Sequence, residues 1–186
     1  EPSRRNTAPC IAYANYKIKE ENPDALIVVA PSDHIIMKEE EFTKDIEEEL
    51  FLEYAFVHGN YYGTSIKPVK EALKKGKLVI FDIDVQGNAT IINRLGDITT
   101  SVFISPPTLS ELKKRLEARS TDSQDVIERR IDMAKREIQR ISEYDFLIVN
   151  DNFKEAADTL RVIANAARVK IPGNEINDFV RNWEDI

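Results

Sequence analysis

Four short, continuous apolar runs punctuate the chain: Leu26–Ala30, Leu78–Phe81, Ser101–Ile104 and Phe146–Val149. Runs of this length, rich in β-branched and aromatic residues, are the pattern of strands buried in a parallel sheet. Phe51–Val57 reads as a further strand, ended by a turn at Gly59–Gly63. Helical spacing fills the intervals. Thr7–Glu21 carries Ile11, Tyr13, Ala14 and Ile18 at apolar positions and is broken by Asn22-Pro23-Asp24. Glu39–Glu49 is an acidic amphipathic stretch, and Lys67–Lys75 is a helix capped by Gly76. A long, charge-rich helical segment runs from Leu109 to Ile141 with a polar break at Ser120–Ser123, and another covers about Lys154–Arg168. The last segment, Ile171–Ile186, contains Pro172-Gly173 and predicts a peripheral tail with one short helix. Strands alternating with helices predict an α/β fold with a mainly parallel sheet flanked by helices. No internal repeat or low-complexity tract interrupts the pattern, and the one possible seam lies near Ile36–Glu41.

Composition narrows the class. The chain of 186 residues is long enough for one sizeable core, which favours a single compact unit with room for a small inserted lobe. With 42% hydrophobic and 32% charged residues it has the balance of a soluble α/β protein. No apolar run approaches the roughly 18 residues that a membrane helix needs, so no membrane partner is expected. Cys10 is the only cysteine, which excludes an intrachain disulfide and argues against a cysteine-built metal site. No secretory leader opens the sequence, and a cytoplasmic location is expected. The chain starts at Glu1 rather than Met, which reads as a fragment or processed product. The net charge of −7 argues against a nucleic-acid partner, although a local arginine cluster can still hold a small phosphate ligand.

Three groups of residues are suited to chemistry. Asp82 and Asp84 stand at the C-terminal end of an apolar run, where open α/β sheets bind ligands, and strand alternation sends both to one side. One of them can instead simply cap the following turn. Arg115, Arg119, Arg129 and Arg130 flank the Ser120–Ser123 break and can fold over a polyphosphate, though a charged helix face is usually just solvated. Glu53 interrupts an apolar stretch, and Tyr61 and Tyr62 lie between Gly59 and Gly63. A carboxylate can accept paired hydrogen bonds from guanine, and a tyrosine hydroxyl can donate to phosphate; packing is the plainer role for the tyrosines. His34 and His58 are too isolated to suggest a metal site or a catalytic triad.

Taken together, Phe51-Leu-Glu-Tyr-Ala55, Gly59-Asn-Tyr-Tyr-Gly-Thr64, Phe81-Asp-Ile-Asp-Val-Gln-Gly87, the Arg115–Arg130 segment and Tyr144-Asp-Phe-Leu-Ile-Val-Asn-Asp151 resemble the guanylate kinase family in order and spacing. The resemblance runs from about Glu41 to the C-terminus. It implies a P-loop kinase-like core with a small GMP-binding lobe at about 37–75 and an arginine-rich lid at about 115–135. It implies GMP contacts at Glu53, Tyr62, Thr64, Asp82 and Asp84, and catalytic lid arginines at Arg115, Arg119 and Arg130. Asn150 falls where the family contacts adenine, and Mg²⁺ is implied with ATP. The substrates would be ATP and GMP, in an in-line phosphoryl transfer.

Two features depart from that family. Nowhere in the chain is there a G-x-x-x-x-G-K-[ST] loop to cradle ATP phosphates, and the family's first strand and N-terminal arginine pair are missing with it. Leu26–Ala30 is a candidate for the vacant strand position. In place of the loop, Glu1–Ala14 and Ala30-Pro-Ser-Asp-His-Ile-Ile36 resemble mannose-1-phosphate guanylyltransferases. That resemblance implies a metal-binding Asp33, with Glu1, Arg5 and Asn6 near a nucleotide-sugar. The expected organisation is therefore a nucleotidyltransferase-like segment, 1–36, joined to a guanylate kinase-like domain, 37–186. A guanylate kinase by descent, with activity weak or lost for want of the loop, is the leading expectation. A non-catalytic guanine-nucleotide or protein-binding module, and a guanylyltransferase making GDP-mannose, are the alternatives.

Overall fold

The computed structural model describes residues 16, 20, 28–31, 35–36, 46, 48, 50–57, 60–118, 123–170 and 173–184. The helices expected at Thr7–Glu21 and Glu39–Glu49 lie almost wholly outside the described residues, as does most of the polar break after Arg119. The chain divides into two compact units, Asn22–Thr100 with Ala164–Ile186, and Glu1–Glu21 with Ser101–Ile163.

The first of these units contains strands β1 (Val28–Pro31), β2 (Ile35–Ile36), β3 (Phe51–Val57), β4 (Asn60–Ser65) and β5 (Val79–Asp82), with helices α1 (Ile66–Lys74) and α2 (Val85–Leu95). β1 pairs in parallel with β5, Val28 opposite Val79 through Pro31 opposite Asp82. An N-terminal strand thus stands beside β5. The order β2-β4-β3 forms a separate antiparallel sheet. Its β3–β4 ladder continues to the pair Val57–Asn60, so only positions 58 and 59 remain for the connection. Gly59–Gly63 is therefore not the turn that its Gly and Asn content suggests, because Tyr61, Tyr62 and Gly63 are ladder positions of β4. Cross-strand pairing overrides the local turn signal.

One core binds these pieces. Leu52, Val69 and Ile91 are buried together, and Ile66, Val79, Phe81, Ile83 and Leu95 pack around them. Hairpin, α1, β5 and α2 each contribute, so the hairpin shares its core with β5 and the two helices. Arg94 on α2 reinforces this by donating from Nη1 to the carbonyl of Phe51. Helix α1 ends as its glycine predicts. Gly76 adopts φ +66°, its N–H reaches the carbonyl of Leu73, and the next N–H, of Lys77, reaches that of Ala72. This pair of bonds is a Schellman motif, which requires a left-handed residue that glycine adopts without a Cβ clash.

The second unit contains β6 (Val102–Ser105), α3 (Leu109–Glu117), α4 (Gln124–Glu137), a 3-10 segment (Ile138–Glu143), β7 (Phe146–Val149) and most of α5 (Phe153–Ala167). β6 and β7 pair in parallel from Val102–Phe146 to Ser105–Val149. At their N-terminal ends Asp145 Oδ2 accepts from the main-chain N–H and the hydroxyl of Ser101, while the N–H of Asp145 donates to Ser101 Oγ. The strand expected at Phe146–Val149 is present as β7 and is partly exposed: Ile148 is buried, but Phe146, Leu147 and Val149 are exposed. β6 is its one hydrogen-bonded neighbour among the described residues. Arg140 closes the 3-10 segment on Glu143 and, chiefly through that hydrogen bond, holds the Glu143 carboxyl below its usual range. The C-terminal tail carries α6 (Gly173–Glu184), a longer helix than the sequence suggests.

Candidate functional site

The residues with candidate chemistry divide between the units. In the hairpin unit, the ladder sets Glu53 opposite Thr64, and Tyr62 stands two positions along β4 from Thr64. Alternation puts positions 53, 62 and 64 on one face of the hairpin. Thr64 is buried, and a register irregularity between Phe51 and Glu53 marks the approach to this point. The side chains of Glu53 and Tyr62 lie outside the described residues.

At the C-terminal end of β5 the two aspartates differ. Asp82 is the last strand residue, half-buried and opposite Pro31 of β1. Asp84 is the N-cap of α2: its Oδ1 accepts from the N–H groups of Gln86 at 3.0 Å and Gly87 at 2.8 Å. The capping role that the sequence left open for one of this pair is thus present, and it uses one carboxylate oxygen of an exposed residue. Gly87 lets the helix begin this close to the strand, because a Cβ there would lie 3.0 Å from Ile83 Cβ. Asn88 follows, buried, with its Nδ2 making no hydrogen bond among the described residues.

The other unit holds the arginines and Asn150. Asn150 lies just past β7, is 7% exposed, and donates its main-chain N–H to the carbonyl of Ser105 at the end of β6. Both strands therefore end at one edge, the edge at which parallel sheets bind ligands. Arg115 on α3 reaches that edge: its Nη1 donates to the carbonyl of Asn150 at 2.7 Å and its Nε to Glu111 Oε1 at 2.7 Å. Thr108 caps α3 by accepting from the N–H of Glu111, and the three-residue interval from Thr108 to Glu111 is that of a capping box. The sequence singles out Arg115 but not Glu111, whose signals were this interval and the four-residue spacing to Arg115. Arg130 is exposed on α4, while Arg119 lies outside the described residues. Asp33 lies outside them too. Among the described residues no group of three or more His, Cys, Asp or Glu is placed to hold a metal ion, and no helix is long and apolar enough to cross a membrane.

The chain is 85% identical to a guanylate kinase of Sulfurimonas denitrificans over 150 residues, covering 81% of this chain and 73% of that relative. It is 46% identical to a guanylate kinase of Wolinella succinogenes over 151 residues, covering 81% of this chain and 70% of that one. The fold matches the crystal structure of guanylate kinase from Anaplasma phagocytophilum with a TM-score of 0.65 at 26% identity, over 85% of this chain and 81% of that chain. None of these matches supports the guanylyltransferase resemblance of the first 36 residues. The family model for guanylate kinase matches residues 29–167, reaching back into that segment to include most of β1, and the chain belongs to the guanylate kinase family.

Proposed function

We propose that the chain binds GMP through the unit that carries the β3–β4 hairpin and ATP through the unit that carries β6 and β7, and phosphorylates GMP to GDP. The observation that carries the acceptor half is the ladder register, with Glu53 opposite Thr64 and Tyr62 on the same face. In this reading the Glu53 carboxylate accepts the N1–H and 2-amino group of guanine, a donor pair that adenine lacks. Tyr62 and Thr64 donate to the GMP phosphate, and Asp82 and Asp84 line the substrate site. A GMP phosphate oxygen attacks the γ-phosphorus in line, the bond to the β,γ-bridging oxygen breaks, and ADP leaves; no covalent enzyme intermediate forms. Arg119 and Arg130 neutralise charge on the transferring group, and Asn150 meets the adenine. The described residues supply no cage for a resident ion. ATP is used as its magnesium complex, so Mg²⁺ would come with the donor as part of the substrate. Both nucleotides are cytoplasmic metabolites, so we infer a cytoplasmic protein.

The chain contains no G-x-x-x-x-G-K-[ST] loop, so we expect slow turnover beside intact GMP binding. Calorimetric titration with GMP, AMP as control, and a coupled assay for ADP test this. GMP should bind selectively and ADP should form only when GMP is present. Glu53→Gln should weaken GMP binding by about 10- to 100-fold, the worth of a charge-assisted hydrogen-bond pair. Binding without ADP formation would leave a guanine-nucleotide-binding module. Failure to bind GMP would remove the acceptor-site assignments.

A further inference from the structure

Arg115, which the family resemblance sets among the phosphate-binding arginines, is already engaged on two sides within its own unit. Its Nε donates to Glu111 Oε1 and its Nη1 to the carbonyl of Asn150, both at 2.7 Å, and its side chain is 21% exposed. Each partner is itself held. The N–H of Glu111 is bound by the Thr108 cap, and the N–H of Asn150 is bound by the carbonyl of Ser105. A guanidinium presents its donors in a rigid planar fork, so one arginine can tie a carboxylate to a carbonyl in a way that a lysine ammonium cannot. To reach a polyphosphate, Arg115 would have to surrender two short contacts.

We propose that Glu111 and Arg115 are positioning residues of the donor-nucleotide site. Glu111 orients the guanidinium, and Arg115 acts through Asn150, fixing the main chain just past β7 so that the Asn150 side chain meets the base of ATP. Arg115 then governs which base is accepted, and the grip on the phosphates belongs to other arginines. This inference rests on the assignment of Asn150 to the adenine made under the proposed function.

The test compares MgATP with MgITP, which carries the same triphosphate on a base with a carbonyl in place of the 6-amino group. Dissociation constants are measured by calorimetry for the wild-type chain and for Arg115→Lys, Glu111→Gln and Arg119→Ala. The wild type should prefer ATP. Arg115→Lys keeps the charge but not the fork, and should weaken ATP by about tenfold while ITP stays within about twofold. Glu111→Gln should move in the same direction by less, and Arg119→Ala should weaken both nucleotides alike. An unchanged GMP dissociation constant shows that the variants remain folded. Equal loss of ATP and ITP in Arg115→Lys, or no change in either, overturns the inference. Wild-type binding of ATP without preference over ITP overturns it alone and leaves the proposed function standing. Failure of the wild type to bind ATP removes the donor-site assignment and this inference together.

Discussion

Asp84 has one observed role and one proposed role, and substitution can separate them. As N-cap it accepts two main-chain N–H groups of α2, and in the proposed function its carboxylate lines the GMP site with Asp82. Asparagine caps a helix about as well as aspartate, whereas alanine does not. Asp84→Ala is therefore expected to cost about 1 kcal/mol of stability, read as a lower denaturation midpoint. Asp84→Asn should keep that midpoint and lose GMP affinity. A variant that binds GMP as the wild type does would reduce Asp84 to a cap. Gly87 sets the limit on this corner: the 3.0 Å that a Cβ would have to Ile83 Cβ leaves room for the close strand-to-helix step and for little else.

The same corner shows why some elements were legible and others were not. β3 and β7 fall at the residues that their apolar patterns indicate, and Gly76 stops α1 where a left-handed cap is required. Helix α2 is not announced by its own sequence, because Gly87, Asn88 and Thr90 are weak helix formers in its first turns. It forms because Asp84 caps it and because Ile91 and Leu95 pack with Leu52 of the hairpin. Tertiary packing outweighs propensity there, as ladder pairing outweighs turn composition at Tyr61–Gly63. The family resemblance singles out Glu53, Tyr62, Thr64 and the aspartates as candidates, but the engagement of Arg115 could not be read from the sequence. A glutamate four residues from an arginine reads as an ordinary solvated pair until Asn150 is seen to complete it. Asn88 yields a prediction at this scale. Its buried Nδ2 has no partner among the described residues, and an unsatisfied buried amide costs about 1–3 kcal/mol, so the near-isosteric Asn88→Leu should raise the denaturation midpoint. A lower midpoint would mean that the amide is bonded in solution.

Across the whole molecule, the net charge of −7 coexists with the arginines of α3 and α4, so the local placement of cations matters more than the total. The candidate donor residues lie in the unit containing Ser101–Ile163, and the candidate acceptor residues lie in the unit containing Asn22–Thr100. Variants at Arg115 and at Glu53 therefore test different halves of the chain, and their effects on single-nucleotide binding should be independent.

The mutual bonds between Ser101 and Asp145 join residues 44 positions apart, whereas the β3–β4 hairpin joins near neighbours in sequence. Closing the longer loop costs more chain entropy before any contact rewards it, so local pairing should come first during refolding. Pulsed hydrogen exchange should find the β4 amides protected before those of Ser101 and Asp145, and the reverse order would refute this. A nascent or refolding chain would then acquire its β3–β4 strand pair early, while the β6–β7 side would wait on a longer loop to close.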